Sequence, residues 1–148
     1  MNKRLITLLL ATGIAVIFVA TGLQAGTAAP DTMKIETQGF KKHTKPPVDF
    51  THKKHIEDYK IACGECHHDD KGKALANLKM GDDVKKCSEC HNKFEKDKKN
   101  KKDIMVLENA MHGNCIECHK EANIKAGDPK GRKGPAPTTC NACHKKDK

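Results

Sequence analysis

The chain has 148 residues, of which 32% are charged and 3% aromatic, and its formal net charge is +9. With so few large apolar side chains, the composition lies close to that of disordered proteins and excludes a sizeable core built from side chains alone. The length is that of a single domain. Apolar surface from outside the polypeptide is therefore needed to order this chain.

Residues 1–25 have the pattern of a secretory signal peptide. Lys3 and Arg4 give a positive start, residues 5–23 are apolar or small, and Leu-Gln-Ala at 23–25 offers a cleavage site. An uncleaved anchor is the alternative, because a span needs about 18 apolar residues, but the threonines and glycines here favour cleavage. Either way the rest of the chain leaves the cytoplasm, so nucleic acid is not expected as a partner.

The segment that follows, residues 26–47, is predicted to be a poorly structured leader that ends in the stiff pair Pro46-Pro47. Residues 49–61 have helix-compatible spacing. Residues 72–83 are expected to form a mixed loop or short helix. None of these segments resembles another, so the chain is not a solenoid.

The second half of the chain contains the best helical stretch, residues 104–111. Asp103 is its expected N-cap and Gly113 its expected stop. A run of charges precedes it at 93–103. Residues 127–137 are too rich in glycine and proline to form anything but a loop.

The pattern Cys-x-x-Cys-His occurs four times, at residues 63–67, 87–91, 115–119 and 140–144. It is the attachment signature of c-type haem: two thiols form thioethers with one porphyrin, and the histidine binds its iron. Zinc sites and disulfide scaffolds also use paired cysteines, but neither requires a histidine directly after the pair. We predict four haems c, attached to the cysteines Cys63, Cys66, Cys87, Cys90, Cys115, Cys118, Cys140 and Cys143.

Four porphyrins would supply the apolar surface that the polypeptide lacks. We therefore expect residues 48–148 to form one tetrahaem cytochrome domain, of mainly short α-helices and loops wrapped around the haems, with little or no β-sheet. Without haem the chain should be largely unfolded, as small metal-dependent domains are.

Each haem iron has two axial positions, and the motif histidines His67, His91, His119 and His144 fill one apiece. Five other histidines remain, namely His43, His52, His55, His68 and His112. Five histidines for four positions indicate bis-histidine ligation, although the methionines Met33, Met80, Met105 and Met111 compete. Because His68 directly follows His67, the two side chains diverge, so His68 serves a second haem or none. His52 and His55 lie three residues apart, one turn of a helix, and bind different irons if both are ligands. His112 is expected to reach a haem other than its neighbour, and His43 is expected to have a surface or hydrogen-bonding role.

The order His-x-x-His, Cys-x-x-Cys-His-His and three further motifs, with a histidine shortly before the third, resembles the class III tetrahaem cytochromes c of sulfate-reducing bacteria. The resemblance covers about residues 48–145. Some members have a longer cysteine spacing at the second and fourth motifs, whereas all four are short here. Numbering the haems by their motifs, the resemblance implies the ligand pairs His52–His67 (haem 1), His68–His91 (haem 2), His55–His119 (haem 3) and His112–His144 (haem 4).

The resemblance also implies a function: a monomeric periplasmic electron carrier of low potential, and not an enzyme. Its partners would be a periplasmic hydrogenase or formate dehydrogenase and a membrane redox complex of sulfate respiration. The alternatives are a membrane-anchored quinol-oxidising tetrahaem cytochrome and a multihaem reductase. An uncleaved amino terminus would favour the first alternative. The second needs a five-coordinate iron, against which the histidine count argues.

Basic residues form two clusters that could meet acidic partners. The resemblance implies that the cluster around haem 4 faces hydrogenase. We call it the haem 4 patch, and it consists of Lys120, Lys125, Lys130, Arg132, Lys133, Lys145 and Lys146. The second cluster consists of Lys96, Lys98, Lys99, Lys101 and Lys102.

Overall fold

A computed structural model describes residues 30–146, so the predicted signal peptide, 1–25, lies outside the described residues. Regular structure within this range is sparse, as the sequence predicts. Its elements are β1 (Met33–Ile35), β2 (Val48–Phe50), α1 (His52–Glu57), a 3-10 turn (Cys63–Glu65), α2 (Cys87–Cys90), α3 (Leu107–Lys125) and α4 (Cys140–Cys143). Between residues 30 and 146, no helix is both long and apolar enough to cross a membrane.

The two strands pair antiparallel, with Met33 opposite Phe50 and Ile35 opposite Val48. Their apolar residues are half-buried on one side, while Lys34 on the other side is exposed. Strand β1 lies in the segment 26–47, for which the sequence predicts little regular structure. Through β1, this segment pairs with β2, the strand that leads directly into α1.

Helix α3 differs from the helix predicted at residues 104–111. It begins at Leu107 and runs through Gly113 to Lys125. A glycine inside a helix costs only about 0.5–1 kcal/mol, which is too little to stop a helix held by neighbouring structure. Asp103 is not the cap: its carboxylate accepts the Met105 N–H and pairs with the ammonium of Lys93. The prediction of this helix was therefore wrong at both ends.

The protein core is very small. Among the described residues, the buried apolar side chains are Val106, Leu107 and Ala110. The backbone N–H of Lys93 donates to the carbonyl of Met105 at 3.0 Å, and the Lys93 carbonyl accepts the N–H of Leu107 at 2.9 Å. These hydrogen bonds fix the chain after α2 against the start of α3. The predicted fold class, short helices and loops with almost no sheet, is confirmed, and the polypeptide by itself has little to pack around.

A second contact joins the chain before β2 to the chain after α2. The rings of Phe40 and Phe94 meet edge to face with centroids 5.3 Å apart, and Lys41 reaches the carboxylate of Glu95 at 2.7 Å. The ring of Phe94 lies directly over Gly39, so a Cβ at that position would overlap it.

Replacing Gly39 by alanine should therefore destabilise the haem-loaded protein by about 1–3 kcal/mol, the usual cost of overpacking. Denaturant unfolding followed by haem absorbance measures this change. In a Phe94→Leu background the smaller side chain leaves room for the methyl group, so the loss should shrink. Equal losses in the two backgrounds would show that Gly39 and Phe94 do not interact.

Candidate functional site

The eight histidines assigned to ligand pairs lie next to one another in four couples. Their ring centroids are separated by 6.3 Å for His52 and His67, 5.7 Å for His68 and His91, 6.2 Å for His55 and His119, and 6.2 Å for His112 and His144. The ninth histidine, His43, contacts Phe40 at 5.6 Å. These couples are the combinations that the resemblance implies.

The separations fit one metal ion between each couple. An imidazole nitrogen binds a metal at about 2.0 Å, and the ring centroid lies about 1.2 Å behind it, so opposed imidazoles on one iron have centroids about 6.4 Å apart. The observed spacing of 5.7–6.3 Å lies close to this value. Rings in edge-to-face contact cover the same range, so the pairing of the eight histidines, and not the distance alone, points to iron.

Hydrogen bonds orient many of these rings. A backbone carbonyl lies within bonding distance of the Nδ1 atom in five of them: Ile104 for His91 (2.7 Å), Pro137 for His119 (2.6 Å), Pro46 for His144 (2.7 Å), Thr51 for His55 (2.9 Å) and Asp69 for His68 (2.7 Å). A carbonyl can only accept, so Nδ1 carries the proton and donates it. The lone pair is then on Nε2, which is the atom free to bind a metal.

The other three rings have different surroundings. The Nδ1 atom of His52 is buried and, within residues 30–146, has no hydrogen-bond partner. Burial, followed by the neighbouring His52 and His68, lowers the pKa of His67 and so favours its neutral form. Nδ1 of His112 lies 3.6 Å from a carboxylate oxygen of Glu108, which also accepts a bond from Lys96 at 2.7 Å. An acidic side chain thus stands beside one ring of the fourth couple.

The local structure links the couples to one another. Helix α1 presents His52 to the first couple and His55 to the third, one turn apart. Helix α3 likewise presents His112 to the fourth couple and His119 to the third. His67 and His68 are adjacent in the chain and face different partners, as their divergence predicts. Short stretches of backbone therefore hold all four couples close together.

The cysteine thiols converge around Cys115. Burial, and then the thiols of Cys66, Cys143, Cys87 and Cys118, raise the pKa of Cys115 to about 11. Burial similarly raises the pKa values of the thiols of Cys66, Cys87 and Cys143. Thiols from all four motifs thus contribute to the raised pKa of Cys115.

This combination of four attachment motifs, four imidazole couples and almost no protein core defines a multihaem cytochrome of the c type. The chain matches the class III cytochrome C family over residues 28–147, and it belongs to that family. The match begins well before residue 48, where the motif resemblance starts. Four c-type haems are bound by the family, in agreement with the four motifs here.

Two curated relatives match this chain over almost their full lengths. A cytochrome c3 of Maridesulfovibrio salexigens is 36% identical over 126 residues, which cover 81% of this chain and 98% of the relative. A cytochrome c3 of Desulfovibrio desulfuricans is 31% identical over 122 residues, covering 80% of this chain and 98% of the relative. This protein is thus a multihaem electron carrier.

Sequence reasoning missed the groups that orient the histidines. The carbonyls of Ile104, Pro137 and Pro46 come from loops, and a backbone carbonyl has no signature in a sequence. Glu108 could have been found, because it precedes His112 by four residues and such residues share one helix face. Asn123 was also overlooked, although it is fully buried on α3.

The 127–137 loop, which supplies the Pro137 carbonyl, is ordered in part by Asp128. The carboxylate of Asp128 accepts the backbone N–H groups of Lys130, Arg132 and Lys133. The bond from Lys133 contributes most to holding the pKa of Asp128 below its ordinary value. Because the folded pKa is the lower one, this stabilisation is fully present above about pH 3.9 and is lost as the pH falls through the folded pKa.

We therefore expect the amides of Lys130, Arg132 and Lys133 to be protected from hydrogen exchange near neutral pH, and to lose protection on acidification below about pH 3.9. Asp128→Ala, which removes both acceptor oxygens, should remove the protection at neutral pH as well, and Asp128→Asn should weaken it, because the amide keeps only one acceptor oxygen. The matched control is Asp97→Asn, which alters another exposed turn (Asp97 accepts the Lys99 N–H) and should leave these amides unchanged. Wild-type protection in Asp128→Asn would contradict this role.

Proposed function

We propose that this protein is a periplasmic electron carrier of low reduction potential in which each of four haems has two histidine ligands. The observation that carries the proposal is the presence of four imidazole couples at a separation suited to iron. When bound, each haem supplies one-electron chemistry, because its iron alternates between the ferric and ferrous states. The protein's residues hold the haems, set their potentials and guide the partners.

The couples and the motifs together support one set of ligands. The motif histidines His67, His91, His119 and His144 would hold haems 1 to 4, and His52, His68, His55 and His112 would supply the second ligand in the same order. The thioethers come from Cys63 and Cys66, Cys87 and Cys90, Cys115 and Cys118, and Cys140 and Cys143. His43, which contacts Phe40, has no ligand role.

Two features of these ligands support a low potential. A histidine in place of methionine lacks the thioether that raises the potential of many cytochromes c. In addition, a carbonyl that accepts a hydrogen bond from Nδ1–H makes the imidazole a stronger donor to a metal, which favours ferric iron. Five of the eight rings have such a carbonyl. The Glu108 carboxylate beside His112 acts in the same direction.

Eight paired histidines argue against the alternative of a multihaem reductase, which needs an iron with an open position. Close packing of the haems allows one molecule to hold several electrons, which suits a carrier between a two-electron enzyme and later acceptors. We propose a periplasmic hydrogenase or formate dehydrogenase as the donor, a membrane redox complex of sulfate respiration as the acceptor, and a monomeric carrier.

The direct test is spectroscopy of the purified haem-loaded protein. Its mass should exceed that of the polypeptide by four haems, and all four irons should be six-coordinate and low-spin. Carbon monoxide should not bind rapidly to the native reduced protein, because no axial position is open. A high-spin signal or rapid carbon monoxide binding would overturn bis-histidine ligation and favour a reductase.

The assignment of His68 to haem 2 makes a separate prediction. Replacing His68 by methionine should raise the potential of haem 2, since a thioether favours ferrous iron, and should leave haem 1 at its wild-type potential. The matched control is His43→Met, which changes a histidine outside the couples and should alter none of the four haems. The assignment is wrong if haem 1 responds first, although its ligand His67 is the chain neighbour of His68.

The haem 4 patch predicts how partners dock. Its residues Lys145 and Lys146 are exposed, and exposed charges can raise association rates by roughly 10–10³-fold. Screening shortens their range from about 10 Å at 0.1 M salt to about 3 Å at 1 M. Reduction by an acidic partner enzyme should therefore slow steeply as salt rises, and reversing both lysines to glutamate should slow it further at low salt only.

The matched control for this reversal is Lys98→Glu with Lys99→Glu, which makes the same change of charge in the second cluster. If docking uses the haem 4 patch, the control should slow reduction much less than the reversal of Lys145 and Lys146. A rate that ignores salt and both reversals would show that the patch is only a solvated surface.

A further inference from the structure

Asn123 is the one fully buried polar residue among those described, with 0% of its surface exposed. Its amide nitrogen donates to the carbonyls of Gly131 (3.2 Å) and Ala136 (2.9 Å), and its amide oxygen accepts the N–H of Ala136 at 3.0 Å. Both backbone groups of Ala136 are thus bound by one side chain. A buried amide with all these bonds made holds its partners firmly, because breaking one leaves a polar group unsatisfied.

The residue after Ala136 is Pro137, whose carbonyl accepts the Nδ1 proton of His119 at 2.6 Å. His119 precedes Asn123 by four residues on α3, so the two side chains lie on the same face, one turn apart. Two neighbouring side chains of one helix therefore grip two consecutive residues of the 127–137 loop. The bond of His119 depends on where Asn123 places the loop.

The loop is also shaped to receive this amide. A Cβ on Gly134 would overlap the amide oxygen of Asn123, so only glycine allows the loop to close over it. Gly131, whose carbonyl is bound by Asn123, has a φ of +61° and lies against the carbonyl of Lys120. The loop can come this close to α3 because glycine occupies both positions.

We propose that Asn123 is a positioning residue for haem 3: by holding Ala136, it keeps the Pro137 carbonyl on His119 and so lowers the potential of that haem. The inference rests on the proposed ligation of haem 3 by His119. The inference assigns control of the potential of haem 3 to a side chain whose own hydrogen bonds are to Gly131 and Ala136, not to His119.

The sign of the effect follows from the hydrogen bond. With the Pro137 carbonyl in place, the Nδ1–H bond is polarised and Nε2 donates more strongly, which stabilises ferric iron. Without Asn123 the loop can move away and the bond weakens. The equilibrium of haem 3 then shifts toward the ferrous form, which is a rise in its potential.

The experiment measures the potentials of the four haems separately, by NMR of their methyl groups during stepwise reduction. Asn123→Ala should shift haem 3 toward the ferrous form by about threefold to tenfold, a rise of about 28–59 mV at 59 mV per tenfold. Haems 1 and 2 should stay at their wild-type values. A shift of the same size at every haem, or none at haem 3, overturns the proposal.

A second variant gives the same test without removing the amide. In Gly134→Ala the new methyl group pushes the loop away from Asn123, so haem 3 should shift in the same direction. Because both substitutions act through one contact, the double variant should shift haem 3 no further than the larger single change. Additive shifts would show that the two residues act independently. Gly134→Ala also carries the test if Asn123→Ala does not assemble.

The matched control is Asn109→Ala on the same helix. The Asn109 amide also donates to two loop carbonyls, those of Lys101 and Asp103, but this loop carries the Ile104 carbonyl bound to His91, whereas the carbonyl bound to His119 belongs to Pro137. Haem 3 should therefore keep its potential, and an equal shift in this variant overturns the proposal. The wild-type spectrum tests the ligation of haem 3 separately from its tuning by Asn123. If haem 3 does not have two histidine ligands in the wild-type protein, the proposed ligation has failed, whatever the variants do.

Discussion

The separation between opposed imidazoles is the constraint on which the rest of the structure depends. In the proposed ligation, two rings must stand about 6.4 Å apart for each haem, and this requirement has to be met four times in a domain with three buried apolar residues among those described. The position of each chain segment is therefore determined by the histidine side chains that it carries. Helix α1 carries His52 and His55, and the adjacent residues His67 and His68 follow the 3-10 turn. In both places a short stretch of chain presents two rings to different partners and so holds two couples in register. The family's four haems then supply the apolar interior that the side chains do not.

The loops are functional parts of this arrangement, since they provide the carbonyls that fix the imidazoles. Pro46, Ile104 and Pro137 lie outside helices and strands, and the carbonyl of each accepts a hydrogen bond from a motif histidine. Proline has no backbone N–H and therefore interrupts helices and strands. In the resulting loop, its carbonyl has no backbone partner and can bind a side chain. The loops themselves are ordered by buried or capped polar groups such as Asn123 and Asp128. If the proposed ligation holds, control over the haems extends from the ligands to residues that order the loops around them.

The sequence was most informative where covalent chemistry is repeated and least informative where backbone geometry decides. The four motifs and the spacing of His52, His55, His67 and His68 were enough to predict the cofactor, the fold class and the family. The extent of α3 was not predictable in the same way, because neighbouring structure lets the helix continue through Gly113. Strand β1 was missed because three residues depend on a partner strand for their conformation. The carbonyl acceptors could not be predicted at all, since every residue has one.

The most direct test of the account is a crystal structure of the mature haem-loaded protein, with the irons located by anomalous scattering. Four irons are expected, each between the Nε2 atoms of one couple: His52 and His67, His68 and His91, His55 and His119, and His112 and His144. The result that would contradict the account is an iron bound on one side by methionine or water, or by a histidine from a different couple.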